Sequence, residues 1–361
     1  MPSRRLSDEG LPDEGVHGDG DGSANGPRDD LVRMVMGAMA AQTVGAAARL
    51  GIVDLIGGGE RTADELAAEC AAQPQAMGRL LRALTGLGLL VEGASGGFAV
   101  TPVGDLLRGD APRSLRSFAR SFTDPAMLRA WERLDDSVRT GETSFDAVFG
   151  KDFFGYLAEH PELSAEFNAA MSEATRETAE LVPAAFDFGS YATVADIGGG
   201  DGTLLAAILT AHPELYGIVF DTAEGLAQAG TKLARAGLDG RSSLVTGDFF
   251  AAAPEGADLY LLKSVIHDWN DEQCVGILRH CRRAIPDGGR LLIVEPVLPP
   301  AVNPSVAGVC LSDLNMLVNV GGRERTRDDF ERLCHDAGFE VRTVTPLPKP
   351  NRFSVIEAAP V

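Results

Sequence analysis

Apolar residues near the start of the chain recur at helical spacing. Leu31, Val32, Val35, Met36 and Met39 mark one helix that runs on to Leu50 through Ala40, Ala41, Gly45, Ala46 and Ala47, small residues that let two helices approach closely. Thr62 and Glu65 form a capping box for a short helix from Ala63 to Cys70. Pro74 opens a second, with Met77, Leu80, Leu81, Leu84 and Leu87 on one face. Leu89–Val91 and Phe98–Val100, separated by a Gly/Ser turn, read as a hairpin. Helix, helix, hairpin is the order of a winged helix. Residues 113–185 continue as helices carrying Phe118, Phe122, Trp131, Phe145, Phe149, Phe153, Phe154, Tyr156 and Phe167. Most of these rings are expected to pack a junction and a few to line a pocket.

Past Tyr191 the period shortens. Strands are predicted near 192–197, 216–221, 242–246, 258–263 and 290–295, with 339–346 and 352–358 at the end. Helices fall between them near 202–212, 224–236, 271–285 and 326–337. This alternation predicts an α/β domain built on a doubly covered, mainly parallel sheet, Rossmann-like in character. No helix separates the last two strands, which are expected to pair as an antiparallel edge hairpin. The expected partition is a disordered tail (1–28), a winged-helix domain (29–112), a helical linker (113–185) and the Rossmann-like domain (186–361). The tail is assigned because it has almost no large apolar side chain with which to offset the entropy of ordering.

With 361 residues the chain is long enough for two domains. A formal net charge of −20 disfavours nucleic acid and anionic membranes as partners. The five cysteines are odd in number and lack a C-x-x-C spacing, so neither a disulfide framework nor a metal site is expected, and a reducing cytoplasm is. No uninterrupted apolar run approaches about 18 residues, and the N-terminus has no apolar signal core, so neither membrane insertion nor export is expected.

Ligands of open α/β sheets bind at the carboxyl ends of the strands, and that is where the informative residues lie. Val194-Ala195-Asp196-Ile197 runs into Gly198-Gly199-Gly200-Asp201-Gly202-Thr203. The spacing G-x-G-x-G with Thr203 after it departs from the dinucleotide fingerprint, and the acid at Asp196 suits a cationic ligand better than a pyrophosphate. S-adenosylmethionine (SAM), with a sulfonium, an ammonium and no phosphate, fits Asp196, Gly198 and Gly200 on charge. Asp221, ending the second strand, is placed to accept hydrogen bonds from ribose hydroxyls. Asp248 suits an adenine amino group, and Phe249 and Phe250 a purine face. Each acid also has a plain alternative as a helix cap. The fourth strand leads to His267-Asp268-Trp269-Asn270-Asp271-Glu272. Asn270 with Gln273 is a capping box, and Asp271 and Glu272 suit a first helical turn, which leaves His267 as a candidate general base. Glu295, at the end of the fifth strand, and Glu324, in G-G-R-E-R-T, are the acids that could orient its ring; surface placement without a role is the alternative for each.

The glycine loop A-D-I-G-G-G-D-G, G-D-F-F, L-K-S-V-I-H-D-W-N-D-E, V-E-P-V-L-P and G-G-R-E-R-T together resemble the SAM-dependent O-methyltransferases of the plant caffeic-acid and isoflavone type and their bacterial antibiotic-biosynthesis relatives, from about residue 31 onward. The resemblance implies a SAM-methyltransferase sheet with an N-terminal winged-helix dimerisation domain, a homodimer, and methyl transfer to a hydroxyl of a small aromatic metabolite. It implies His267 as base flanked by Glu295 and Glu324, and Asp221, Asp248, Phe249 and Lys263 in the SAM site. It also implies Met171 and Met316 as clamps on the acceptor, with Asp268 and Asn319 beside them. The segment between Met316 and Glu324 is one residue shorter than in plant members. Two alternatives stay open: a SAM-binding relative that hydroxylates or decarboxylates, and a SAM-responsive winged-helix regulator that binds DNA.

Overall fold

The computed structural model describes residues 26–361, so most of the expected tail lies outside the described residues. Residues 26–40 and 41–361 fall in separate compact units. The first helix, Pro27–Leu50, begins inside the expected tail, because Pro27 is suited to a first helical turn and Asp29 and Asp30 follow where the helix dipole favours acids. Leu31, Val35 and Met39 along it are exposed. By length and composition this helix is apolar enough to cross a membrane, although Arg33 and Gln42 interrupt its apolar run.

Thr62 and Glu65 close the expected capping box on the helix Ala63–Glu69, and Pro74–Gly86 follows. Strands β1 (Leu90–Glu92) and β2 (Phe98–Val100) pair antiparallel, Leu90 opposite Val100. Leu66, Leu81, Leu84 and Phe98 share one core with Ile52, Val53 and Ile56 of a short helix the periodicity did not reveal; Leu87, at the helix end, is exposed. The aromatics of the following helices form a cluster of their own, in which Phe145 packs on Phe149, Phe153 and Tyr156.

The main sheet comprises β3 (Thr193–Ile197), β4 (Tyr216–Asp221), β5 (Ser242–Thr246), β6 (Leu259–Lys263), β7 (Arg290–Leu298), β8 (Arg325–Thr326), β9 (Phe339–Pro346) and β10 (Phe353–Pro360). The order is β5-β4-β3-β6-β7-β10-β9, with β8 on β7. Strands β3 to β7 run parallel, and β9 and β10 form the expected antiparallel pair. Leu204, Leu205, Ile208 and Leu209 of the helix Thr203–Ala211 cover one face of the sheet, and Ile277, Leu278 and Cys281 of Asp271–Ala284 belong to the core on the other. Two departures bear on the site. Strand β7 runs three residues past Glu295, since Pro296 lies opposite Phe353 and Val297 pairs with Arg325, so Glu295 sits within a buried strand rather than at its end. A helix over Ala307–Asn319, not foreseen, carries Ser312, Met316 and Asn319 at helical spacing.

Candidate active site

The turn after β3 is shaped by glycine. Gly198 and Gly200 have φ of 69° and 56°, and a Cβ on Gly198 would lie 2.8 Å from Val265. Asp221 braces the loop, accepting from the backbone N–H of Gly200 (2.8 Å) and of Thr222 (2.7 Å), and burial raises its pKa. Asp196 is 2% exposed, and its Oδ2 has no hydrogen-bond partner. Burial, aided by repulsion from Asp221, pushes its pKa up to about 7. A buried carboxylate oxygen without a donor is costly unless something is meant to meet it, which suits the ammonium of SAM. Phe249 lies beside Gly198, whereas Phe250 is more exposed and meets Trp269 edge-on. The Asp248 carboxylate accepts from the N–H of Phe250 at 2.8 Å, which stiffens its own turn.

Lys263 ends β6. Its ammonium donates to Thr175 Oγ1 (2.8 Å) and lies 5.1 Å from the centre of the Phe353 ring. Burial lowers its pKa to about 8 against the pull of Glu295, Asp196 and Asp268. Met171 lies one helical turn before Thr175 and is half-buried.

The next six residues bring His267 among three carboxyl groups. Ser264 adopts φ 53°, and Ile266–Asp268 form a 3-10 turn. His267 Nδ1 lies 3.2 Å from Glu324 Oε1 and 3.5 Å from Glu295 Oε2, while Nε2 lies 3.6 Å from Asp268. Because carboxylates only accept, the neutral ring carries its proton on Nδ1 beside Glu324 and Glu295 and its lone pair on Nε2, whereas in the protonated ring both nitrogens donate. Burial by itself would lower the His267 pKa, but Glu295, Asp268 and Glu324 together raise it to about 10. Burial lifts Glu295 to about 7 and Asp268 to about 6.

The two glutamates differ in what they hold. Glu295 Oε1 accepts from the backbone N–H groups of Val265 (2.9 Å), Ile266 (3.0 Å) and His267 (3.4 Å). Glu324 donates its backbone N–H to Asp313 Oδ1 (2.8 Å), and its Oε1, the oxygen that faces the ring, accepts from Ser312 Oγ (2.7 Å). Ligand-type atoms of His267, Glu295 and Glu324 all lie within 4.8 Å of one another, a spacing a metal ion could also use. Met316 and Asn319 are buried on the same helix as Ser312. Asn319 donates to Asn315 Oδ1 (2.8 Å), which also accepts from Trp131 Nε1 (3.0 Å), and Asn319 Oδ1 has no partner.

The structure thus gathers His267, Asp268, Glu295 and Glu324 into one cluster and Asp196, Gly198, Gly200 and Asp221 into another. Lys263 is electrostatically coupled to both. Sequence reasoning missed Ser312, Trp269 and Arg325. Trp269 directly follows His267-Asp268, but its aromatic neighbours Phe154, Phe249 and Phe250 meet it only in the fold; Arg325 stands among the charges of G-G-R-E-R-T with no apolar pattern to mark its burial, and is fully buried.

A family profile for the O-methyltransferase domain matches residues 131–340, and one for the O-methyltransferase dimerisation domain matches 32–110. The chain is 48% identical over 339 residues to O-demethylpuromycin-O-methyltransferase of Streptomyces alboniger, covering 93% of this chain and 90% of that protein. The crystal structure of LaPhzM superposes with a TM-score of 0.88 at 41% identity, covering 92% of this chain and 99% of that one. NcsB1, an O-methyltransferase from neocarzinostatin biosynthesis solved with SAM and 2-hydroxy-5-methyl naphthoic acid, gives 0.76 at 34% identity, over 90% and 96%. Fold, glycine loop and the two matched domains agree: the chain belongs to the SAM-dependent O-methyltransferases that carry their own dimerisation domain.

Proposed function

We propose that His267 is the general base that takes the hydroxyl proton of a small aromatic acceptor, most simply a phenol, as its oxygen is methylated. The observation that carries this reading is the placement of the imidazole: Nδ1 faces Glu324 and Glu295, Nε2 faces Asp268, and the three acids stabilise the imidazolium once the proton arrives. The same acids favour the protonated ring, so the proton-accepting form is the neutral one and its share grows with pH. Glu324 is the ring-orienting acid, and Glu295 anchors the loop through its backbone.

SAM supplies the electrophilic methyl group. Asp196, Gly198, Gly200, Asp221, Asp248, Phe249, Phe250 and Lys263 are assigned to holding it, with Asp196 facing its ammonium. Met171, Asp268, Met316 and Asn319 are assigned to the acceptor; the unpartnered, buried Asn319 Oδ1 is a ready acceptor for a donor on the ligand. A small aromatic of secondary metabolism agrees with the puromycin-type and naphthoate substrates in the names of the relatives. The dimerisation-domain match and the exposed apolar residues of Pro27–Leu50 support a homodimer formed through the N-terminal region. Five free cysteines and the charge of −20 support a cytoplasmic enzyme without nucleic-acid or membrane partners. The test is His267→Ala with labelled SAM and a panel of phenols. A loss of about 10²–10⁴ in kcat with SAM affinity retained is expected; equal turnover across neutral pH overturns the assignment.

A further inference from the structure

Arg325 is fully buried, yet its one carboxylate partner among the described residues, Asp271, is half exposed. Its Nε and Nη2 donate to Asp271 Oδ1 (3.1 and 2.7 Å), its Nη1 to the carbonyl of Ile266 (2.7 Å), and its Nη2 also to the carbonyl of Trp269 (2.8 Å). A weaker contact reaches the carbonyl of Arg323 at 3.3 Å. Burying a guanidinium is expensive, and an apolar side chain of similar volume usually serves packing equally well. The charge is therefore spent on something other than core stability. The two short carbonyl contacts bracket the segment that bears His267, while Glu295 holds the N–H groups of the same segment from β7. Gly322, three residues before Arg325, closes the remaining side: a Cβ there would lie 2.0 Å from the carbonyl oxygen of His267.

Resting on the base reading above, we propose that Arg325 is a positioning residue for the methyl-transfer reaction, a strut whose guanidinium fork fixes the Ile266–Trp269 turn so that His267 stays against Glu324 while Trp269 stays against Phe249 and Phe250. The strut sits on β8, a strand of two residues whose pairing with Val297–Leu298 ties it to the strand that carries Glu295. Donors for the turn's carbonyls and an acceptor for its N–H groups thus come from adjacent strands of one sheet. Opening the loop at a left-handed, non-glycine residue, Ser264, is a strained start that such bracing over-determines. A lysine cannot reproduce the fork, since it offers a point charge where the two carbonyls and Asp271 need separate planar donors.

The test compares Arg325→Lys, Asp271→Asn and His267→Ala with the wild-type full-length enzyme, measuring kcat and acceptor KM, the kcat–pH profile, SAM affinity by calorimetry, and thermal unfolding. For Arg325→Lys the expected result is kcat lowered about 10- to 100-fold, with SAM affinity within about threefold of wild type and a displaced inflection in the kcat–pH profile, because a base displaced by the order of 1 Å loses up to about 10² in rate. Should Arg325→Lys not fold, Asp271→Asn, at a half-exposed site, is expected to lower kcat about fivefold through a loosened fork, with the same displaced inflection. Wild-type kcat and an unmoved inflection in the folded variant overturn the proposal. So does a parallel fall of kcat, SAM affinity and melting temperature with the inflection unmoved, which marks a structural role. His267→Ala separates the two layers: turnover retained in it removes the base reading and the strut with it, whereas turnover lost in it but kept in Arg325→Lys removes the strut alone.

Discussion

Replacing Asp196 by Asn is expected to make the ligand-free enzyme more stable and the SAM complex weaker. In the folded chain this carboxyl titrates near 7, against an ordinary value near 3.8, chiefly because burial disfavours its charge. A pKa raised by folding means that the group's contribution to stability is full below about pH 4 and is lost as pH climbs through 7. The shift corresponds to at most about 4 kcal/mol of destabilisation by pH 8, of which about 2 kcal/mol is the lower working figure. Asn keeps the shape without the charge. Urea unfolding of the two proteins without SAM is expected to give nearly equal stability near pH 3.5 and a variant more stable by about 2–4 kcal/mol at pH 8. Calorimetry with SAM is expected to show a loss of about 10- to 100-fold, the worth of one hydrogen bond to a charged group, and a wild-type affinity that rises with pH through 7 while the variant's stays flat. A variant no more stable than wild type at pH 8, with unchanged SAM affinity, refutes the reasoning.

Three further outcomes follow from the same geometry. Glu324→Gln removes a group that raises the His267 pKa, so the inflection of the kcat–pH profile moves to lower pH and kcat falls. Glu295→Gln also removes a charge that raises the ring's pKa and weakens the acceptor of the loop's N–H groups, so it lowers the inflection and the melting temperature together; equal melting temperatures for the two variants contradict the division of roles. Gly198→Ala meets both a positive φ and a 2.8 Å approach to Val265, and is expected to cost about 1–3 kcal/mol in unfolding experiments and to weaken SAM binding in calorimetry. Val35→Asp with Met39→Asp puts charges on the exposed apolar helix and is expected to yield monomers by light scattering; a persisting dimer places the interface elsewhere.

Much of the architecture was readable because period and punctuation agreed. The capping boxes at Thr62 and Asn270 and the glycine turn after β3 fixed where elements begin, and strand ends converging on one crevice exposed Asp196, Asp221 and His267. What escaped was set by tertiary partners. Glu295 looks terminal only until β8 and β10 extend β7 past Pro296. A two-residue strand has no period to detect, and Arg325 beside Arg323 and Glu324 reads as surface charge, although its burial follows from backbone carbonyls contributed some 56 to 59 positions away. The helix Ala307–Asn319 mixes faces: Asn319 and Met316 point inward with Ser312, while Leu311 is exposed, so hydrophobicity alone gave no clear face. The distinct jobs of Glu295 and Glu324 appear only in which atoms each one meets.

The proton-transfer claim is tested most directly by measuring the rate penalty of His267→Ala, under saturating SAM, across a series of ring-substituted phenols whose pKa values run from about 10 down to below the assay pH. The expected result is a penalty of about 10²–10⁴ for the least acidic phenol that shrinks steadily toward unity as the acceptor arrives already ionised and needs no base. A penalty that stays constant across the series contradicts the account, because the ring would then be serving something other than removal of the proton.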